Sequence, residues 1–204
     1  IYEKFQNRDV AVKQKLFGVG YEEFVFQIID SDSERKIGSQ AKRMLKKAKT
    51  KEFEVNKNND FSKILSKVKS ELIGKFKGID KSSLSALERL FEAAKMNNVL
   101  TAFNINESGG IVCLEKEDTI LYLKGAVTSE DKQHGGMYLA LNEAIKSASE
   151  NLKFFDFGGS RIPGVKQFNY NLGGIDQVYY RYKIDNAPFW FKLARRIKKT
   201  WSKK

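Results

Sequence analysis

The sequence predicts an α+β fold, a mixed α/β arrangement in which a central, mostly antiparallel twisted sheet is flanked by helices. Three observations carry that prediction. Apolar residues recur at helical spacing in several separate windows. Three β-rich windows between residues 99 and 127 follow one another with only short polar turns between them. Two prolines in 204 residues leave these windows uninterrupted.

Residues 21–29 (YEEFVFQII) are dense in β-branched and aromatic side chains and predict a strand. The period then changes. Ser33 is a candidate cap for a helix whose apolar side is Ile37, Ala41, Met44, Leu45 and Ala48, with lysine and arginine opposite. Residues 52–55 (EFEV) predict a short strand. Asp60 is a candidate N-cap for a helix with the stripe Ile64, Leu65, Val68 and Leu72. Asp80 plays the same part for a helix burying Leu84, Leu87, Leu90, Phe91 and Ala94.

Residues 99–105 (VLTAFNI), 111–115 (IVCLE) and 119–127 (TILYLKGAV) predict an antiparallel meander, with turns at Asn106–Gly110 and Lys116–Asp118. A helix is expected from about Gly136 to Asn151, burying Tyr138, Leu139, Leu141, Ala144, Ile145 and Ala148. A short strand from Phe154 to Phe157 runs into Gly158-Gly159, and a further helix stops at Leu172-Gly173-Gly174. Residues 177–184 (QVYYRYKI) alternate as a strand, and an amphipathic helix begins at Pro188.

Composition narrows the function classes. The single cysteine, Cys113, excludes an intramolecular disulfide framework and a cysteine-based zinc site, and its apolar strand makes it a core residue rather than a nucleophile. No metal is expected. No window approaches the roughly 18 consecutive apolar residues of a membrane span. These features fit a cytoplasmic protein. The chain opens on Ile1 rather than methionine, as a piece of something longer would. Charge is uneven: two acid-free segments, 35–51 and 192–204, hold 15 of the 37 basic residues and leave the rest at −3. The net +12 therefore belongs to two helices.

Four stretches carry a resemblance: LYLKGAVTSEDKQHGGMYLALNEAIKSA (121–148), FFDFGGS (154–160), IPGVKQFNYNLGG (162–174) and the basic helix QAKRMLKKA (40–48). In this combination the chain resembles the Fem-type (FemABX-like) branch of the GNAT N-acyltransferases, over roughly residues 35 to 184. The resemblance implies a GNAT-like acyltransferase fold. It also implies that residues 52–204 are the second of two GNAT-like domains. Residues 1–51 are then an N-terminal arm and basic helix, either the tail of a first domain or an arm of a single-domain protein.

In a GNAT-like site the acyl donor wedges between two splayed strands and its pyrophosphate rests on the next helix N-terminus, where free N–H groups and the helix dipole favour an anion. The resemblance puts that role on Lys132, Gln133, His134, Gly135, Gly136 and Met137. The family pattern wants a basic or amide residue, glycine, and then glycine or alanine; Lys132, Gly135 and Met137 occupy those places, so the last is bulky. Lys124, Gly125, Ala126 and Val127 in the preceding strand would bind the donor's carbonyl. There a bulge at Gly125 would free an N–H for the tetrahedral oxyanion, unless this glycine merely relieves crowding.

Asp156, flanked by Phe155 and Phe157, is either the base for an acceptor amine or a turn residue bonding its own Gly158-Gly159, with the turn role ranked first. Phe155, Ser160 and Arg161 are the expected acceptor contacts. The tyrosine that many GNAT enzymes use as proton donor is replaced by Asn169, with Tyr170 one step later and so rotated by about 100° on a helix.

The expected activity is N-acyl transfer, moving an acyl group from acyl-CoA or an aminoacyl group from aminoacyl-tRNA to a small or lipid-linked amine such as a cell-wall precursor. The alternatives are a catalytically silent GNAT-like module and a nucleic-acid-binding protein. The helix at 35–51 either follows an RNA backbone or is a solvated face. The terminal stretch 189–204 places Trp190, Leu193, Ala194, Ile197 and Trp201 on one face and bases on the other. That pattern suits either peripheral contact with the inner face of a membrane or docking on the sheet.

Overall fold

A computed structural model describes residues 19–31, 34–72, 80–159, 162–184 and 187–201. Among them the elements run β1 (Val19–Ile29), α1 (Ser39–Thr50), β2 (Val55–Asn58), α2 (Ser62–Leu72), α3 (Lys81–Met96), β3 (Leu100–Ile105), β4 (Gly109–Lys116), β5 (Thr119–Val127), α4 (Ser129–Gln133), α5 (Gly136–Glu150), β6 (Phe154–Asp156), α6 (Pro163–Asn171), β7 (Ile175–Ile184) and α7 (Phe189–Trp201). The strands form one open sheet in the order β2-β3-β4-β5-β6-β1-β7. The β2–β3, β3–β4, β4–β5 and β6–β1 pairs are antiparallel, and β5–β6 is parallel. This is the expected α+β, GNAT-like arrangement.

Two compact units divide the chain, Val25–Gln177 and the pair Ile1–Phe24 with Val178–Lys204. Residues 25–51 belong to the same compact unit as 52–177. In that unit the sheet is covered on both sides. On one side α1, α5 and α6 enclose Phe103, Ile105, Ile111, Ile120, Leu141, Ile145, Phe155 and Leu172. On the other, α2 and α3 enclose Ile64, Leu65, Val68, Phe91, Leu100, Ala102, Val112 and Ala126. Alternating side chains of β3 and β4 feed the two cores in turn, as the two-residue period of a strand demands.

Two boundaries and one burial differ from the sequence expectation. Helix α1 starts at Ser39 with Gly38 at its cap, so Ile37 precedes the helix; Ser33 lies outside the described residues. The short strand begins at Val55, three residues later than expected, because Glu52 and Phe53 close α1 instead. Glu52 N–H donates to the Lys49 carbonyl (3.0 Å) and Phe53 N–H to that of Ala48 (3.3 Å), with Glu52 at φ 52°. Leu90 is exposed rather than buried. Asp80 caps α3 as expected, accepting from Ser83 N–H at 2.8 Å; Asp60 stands one residue ahead of the α2 cap position, Phe61, and accepts from Ser62 N–H at 2.9 Å.

The segment ahead of α1 is tied down by Arg35. Its Nε donates to the Leu172 carbonyl (2.7 Å) and its Nη1 to Asn142 Oδ1 of α5 (3.1 Å). Burial pushes its pKa down to about 10, against the opposing pull of Glu143.

Candidate functional site

The site grows from the way β5 and β6 part. They run parallel over three pairs, Thr119↔Phe154, Ile120↔Phe155 and Leu121↔Asp156, and the register ends there. The chain beyond Asp156 then follows β1 instead. Phe157 N–H donates to the Gln27 carbonyl at 3.0 Å, and Gly159 lies against Phe26. The parallel pairing with β5 is not continued past Leu121, although Gly158 still lies close to β5: a Cβ there would sit 3.1 Å from the Tyr122 carbonyl oxygen.

Strand β5 carries a bulge. Val112 of β4 faces Lys124 while Cys113 faces Tyr122, which leaves Leu123 as the extra residue. The two cores report the same event: Ile120 and Tyr122 pack on the α5 side, but beyond the bulge Val127 takes that side and Ala126 the other. The bulge was expected at Gly125, two residues further on. Gly125 instead pairs with Ile111, and a Cβ there would sit 2.6 Å from Ile111 Cγ2 and 2.7 Å from the Gly110 carbonyl oxygen. Close strand packing explains that glycine. Lys124 is half-buried, and Ala126 and Val127 are buried in the sheet.

Beyond Val127 the chain forms α4, a short helix that the sequence pattern did not announce. Thr128 caps it: its hydroxyl accepts from Asp131 N–H (3.2 Å) and donates to Asp131 Oδ2 (2.7 Å), while Thr128 N–H donates to Ser108 Oγ (3.2 Å). The Thr-x-x-Asp spacing was the readable signal. Burial raises the Asp131 pKa, but hydrogen bonds from Ser108 and Thr128, with His134 and Lys51 nearby, outweigh it and hold the carboxyl below its usual range. Lys132 and Gln133 are exposed, and His134 Nδ1 lies 2.9 Å from the Glu130 carbonyl.

Helix α5 then opens on Gly135 in left-handed conformation (φ 92°). A Cβ at Gly135 would meet the Met44 carbonyl oxygen of α1 at 2.2 Å, so α1 crosses directly over the start of α5. Leu139 N–H is the first to bond back along the helix, to the Gly135 carbonyl (2.9 Å). Gly136, Met137 and Tyr138 are thus the leading N–H groups that a helix leaves without an internal acceptor. The exposed side of α1 carries Lys42, Arg43, Lys46 and Lys47. Arg43 is near enough to oppose the rise that burial gives the Tyr138 phenol. Basic charge on α1 and the leading N–H groups of α5 therefore lie close together.

The other expected residues divide. Asp156 is 5% exposed, and its Oδ1 accepts from Gly158 N–H at 2.8 Å, across a turn whose glycines both have positive φ. The turn role is the observed one. Phe155, expected against an acceptor, is fully buried and packs edge-on against Phe157 at 5.0 Å. Ser160 and Arg161 lie outside the described residues. Tyr170 donates its hydroxyl to Asp176 Oδ2 at 2.7 Å, within a network that sequence reasoning missed. Buried Asn169 donates to Gln27 Oε1 (3.0 Å), Gln27 donates to Asp176 Oδ1 (3.0 Å), and Lys166 pairs with Asp176 Oδ2 (3.0 Å). No spacing rule relates Gln27 to Asn169; only the β1–α6 packing brings them together.

No protein-family model and no curated protein matches the sequence. Among solved structures, that of L-PGS from Bacillus licheniformis aligns with a TM-score of 0.54 at 10% identity. The alignment covers 87% of this chain and 65% of the other, so this chain spans under two thirds of that protein's length. At such identity the likeness concerns the fold alone.

Proposed function

We propose that this chain is the transfer domain of an aminoacyltransferase, which moves an aminoacyl group from the ester of aminoacyl-tRNA to an amine. The observation that carries the reading is the crossing of α1 over the start of α5, which brings the basic residues of α1 close to the leading N–H groups of α5. An extended donor would lie along β5, where an N–H near the Leu123 bulge is suited to the developing oxyanion. RNA is favoured over acyl-CoA as donor because α1 offers several bases side by side, as an extended phosphate backbone requires.

Chemical-shift titration at Gly135 and Gly136 tests the donor. An acceptor-stem RNA is expected to perturb both glycines and α1, and millimolar acyl-CoA to leave them unmoved. The reverse pattern would transfer the proposal to acyl-CoA. Transfer itself is checked by counting labelled amino acid moved from tRNA to a panel of amine acceptors.

A second reading, a catalytically silent GNAT-like module, is favoured by the engagement of Tyr170 with Asp176 and of Asn169 with Gln27. Binding of the RNA without any transfer would establish it.

A further inference from the structure

The terminal helix α7 holds a surface that the transfer reading does not use. Phe189, Trp190, Phe191 and Leu193 are 80%, 69%, 47% and 48% exposed, so four large apolar side chains in five residues face solvent. Trp190 and Phe191 stand edge to face at 5.8 Å. A water-soluble chain rarely leaves such a patch uncovered unless something docks on it.

The sequence pattern says what that is. At about 100° per residue, positions 189, 190, 193, 194, 197 and 201 fall in one arc of the helix; positions 192, 195, 196, 198 and 199, all lysine or arginine, lie outside it, with Phe191 among them. No acid occurs from residue 187 to the end of the sequence. The fitting partner is apolar beneath and anionic beside. A second copy of the helix would meet the apolar arc but would bring its bases against those of its mate.

The helix has 13 residues and is therefore about 20 Å long, too short for a hydrocarbon core of about 30 Å. No helix among the described residues is long and apolar enough to cross a membrane. It can only lie in the interface, with aromatic rings at the acyl boundary and bases among headgroups.

We propose that α7 is an interfacial membrane-binding helix selective for anionic lipid. The inference is independent of the transfer chemistry. Both tryptophans of the chain, Trp190 and Trp201, lie in this helix, so intrinsic tryptophan fluorescence reports on it alone.

The full chain is mixed with vesicles of phosphatidylcholine, or of phosphatidylcholine with phosphatidylglycerol, and followed by emission and co-sedimentation. A blue shift and sedimentation are expected with the anionic vesicles only, both weakened by salt. The pair Lys192→Glu and Arg195→Glu is expected to lower partitioning by about five-fold or more per side chain. The pair Phe189→Ser and Leu193→Ser is expected to abolish the shift while circular dichroism stays unchanged. Three results would overturn the proposal: no shift with anionic vesicles, an undiminished shift in the serine pair, or a protein-concentration-dependent shift without lipid, which would mean self-association.

Discussion

Gly135 shows how one residue can serve packing where sequence suggested ligand approach. A side chain there would have to adopt φ 92° and would meet the backbone oxygen of Met44, which cannot swing aside as a side chain can. Gly135→Ala is expected to destabilise the protein by about 2–3 kcal/mol. Gly164, in the first turn of α6, has nothing within 4 Å of its ideal Cβ, and Gly164→Ala is expected to stabilise by about 0.5 kcal/mol. Urea midpoints of the two variants give the comparison, and equal shifts would refute the crossing of α1 over α5 as the reason for Gly135.

Asp176 gives a second test at the same scale. Burial raises its pKa, but hydrogen bonds from Tyr170, Gln27 and Lys166 outweigh that and leave it below the usual 3.8. A depressed folded value means the contribution is complete above the unfolded pKa and is lost as pH falls through the folded one, in acid below about pH 4. Tyr170→Phe removes one donor to the carboxylate. The Asp176 carboxyl resonance should then titrate at higher pH than in the parent protein. An unchanged midpoint would free Tyr170 for a part in the chemistry.

At the scale of elements, α1 has two opposite sides. Ala41 and Ala48 are fully buried, so its backbone lies close on its neighbours, while Lys42, Arg43, Lys46 and Lys47 remain exposed. Changing those four to glutamine keeps good helix formers at exposed positions, and stability should move by no more than about 0.5 kcal/mol. If the face follows RNA phosphates, the slope of log affinity against log salt falls by roughly 0.7–0.9 for each phosphate left without its cation. Retained affinity and slope would make α1 a solvated face.

The same element shows what sequence could and could not convey. Its apolar period was legible because burial of Ala41 and Ala48 repeats at helical spacing. Strand β5 was legible to the residue, from Thr119 to Val127, because polar turns bound it on both sides. Its bulge was not. Leu121, Leu123 and Leu114 look alike in sequence, and only the ladder with β4 reveals that Leu123 has no opposite number. Phe155 escaped for a related reason: alternation in a three-residue strand cannot say which side is core when helices cover both. The Gln27–Asn169 hydrogen bond joins residues 142 apart, and no local pattern encodes such a meeting.

At the scale of the molecule, the distribution of the core decides which part of the chain can stand alone. Among the described residues, every buried member of both apolar clusters lies between Ile29 and Leu172, inside the unit Val25–Gln177. The pairs that join β1 to β6, Ile28↔Asp156 and Ile29↔Phe155, lie inside it as well, and so does the Gln27–Asn169–Asp176 network. The described residues outside it include the exposed aromatics of α7, which add apolar surface to solvent rather than removing it. Since burial of apolar area supplies most of the favourable free energy, a fragment of residues 25–177 should keep nearly all of it. That fragment is expected to unfold in one cooperative urea transition, with a midpoint close to that of the full chain. Its slope should differ little, because slope follows the surface exposed on unfolding and that surface belongs mainly to these two cores. It should also lose all binding to anionic vesicles while retaining the RNA-induced shifts at Gly135 and Gly136, which separates the membrane contact of α7 from the transfer site. A fragment that fails to fold would mean that the outer halves of β1 and β7 contribute to the core after all.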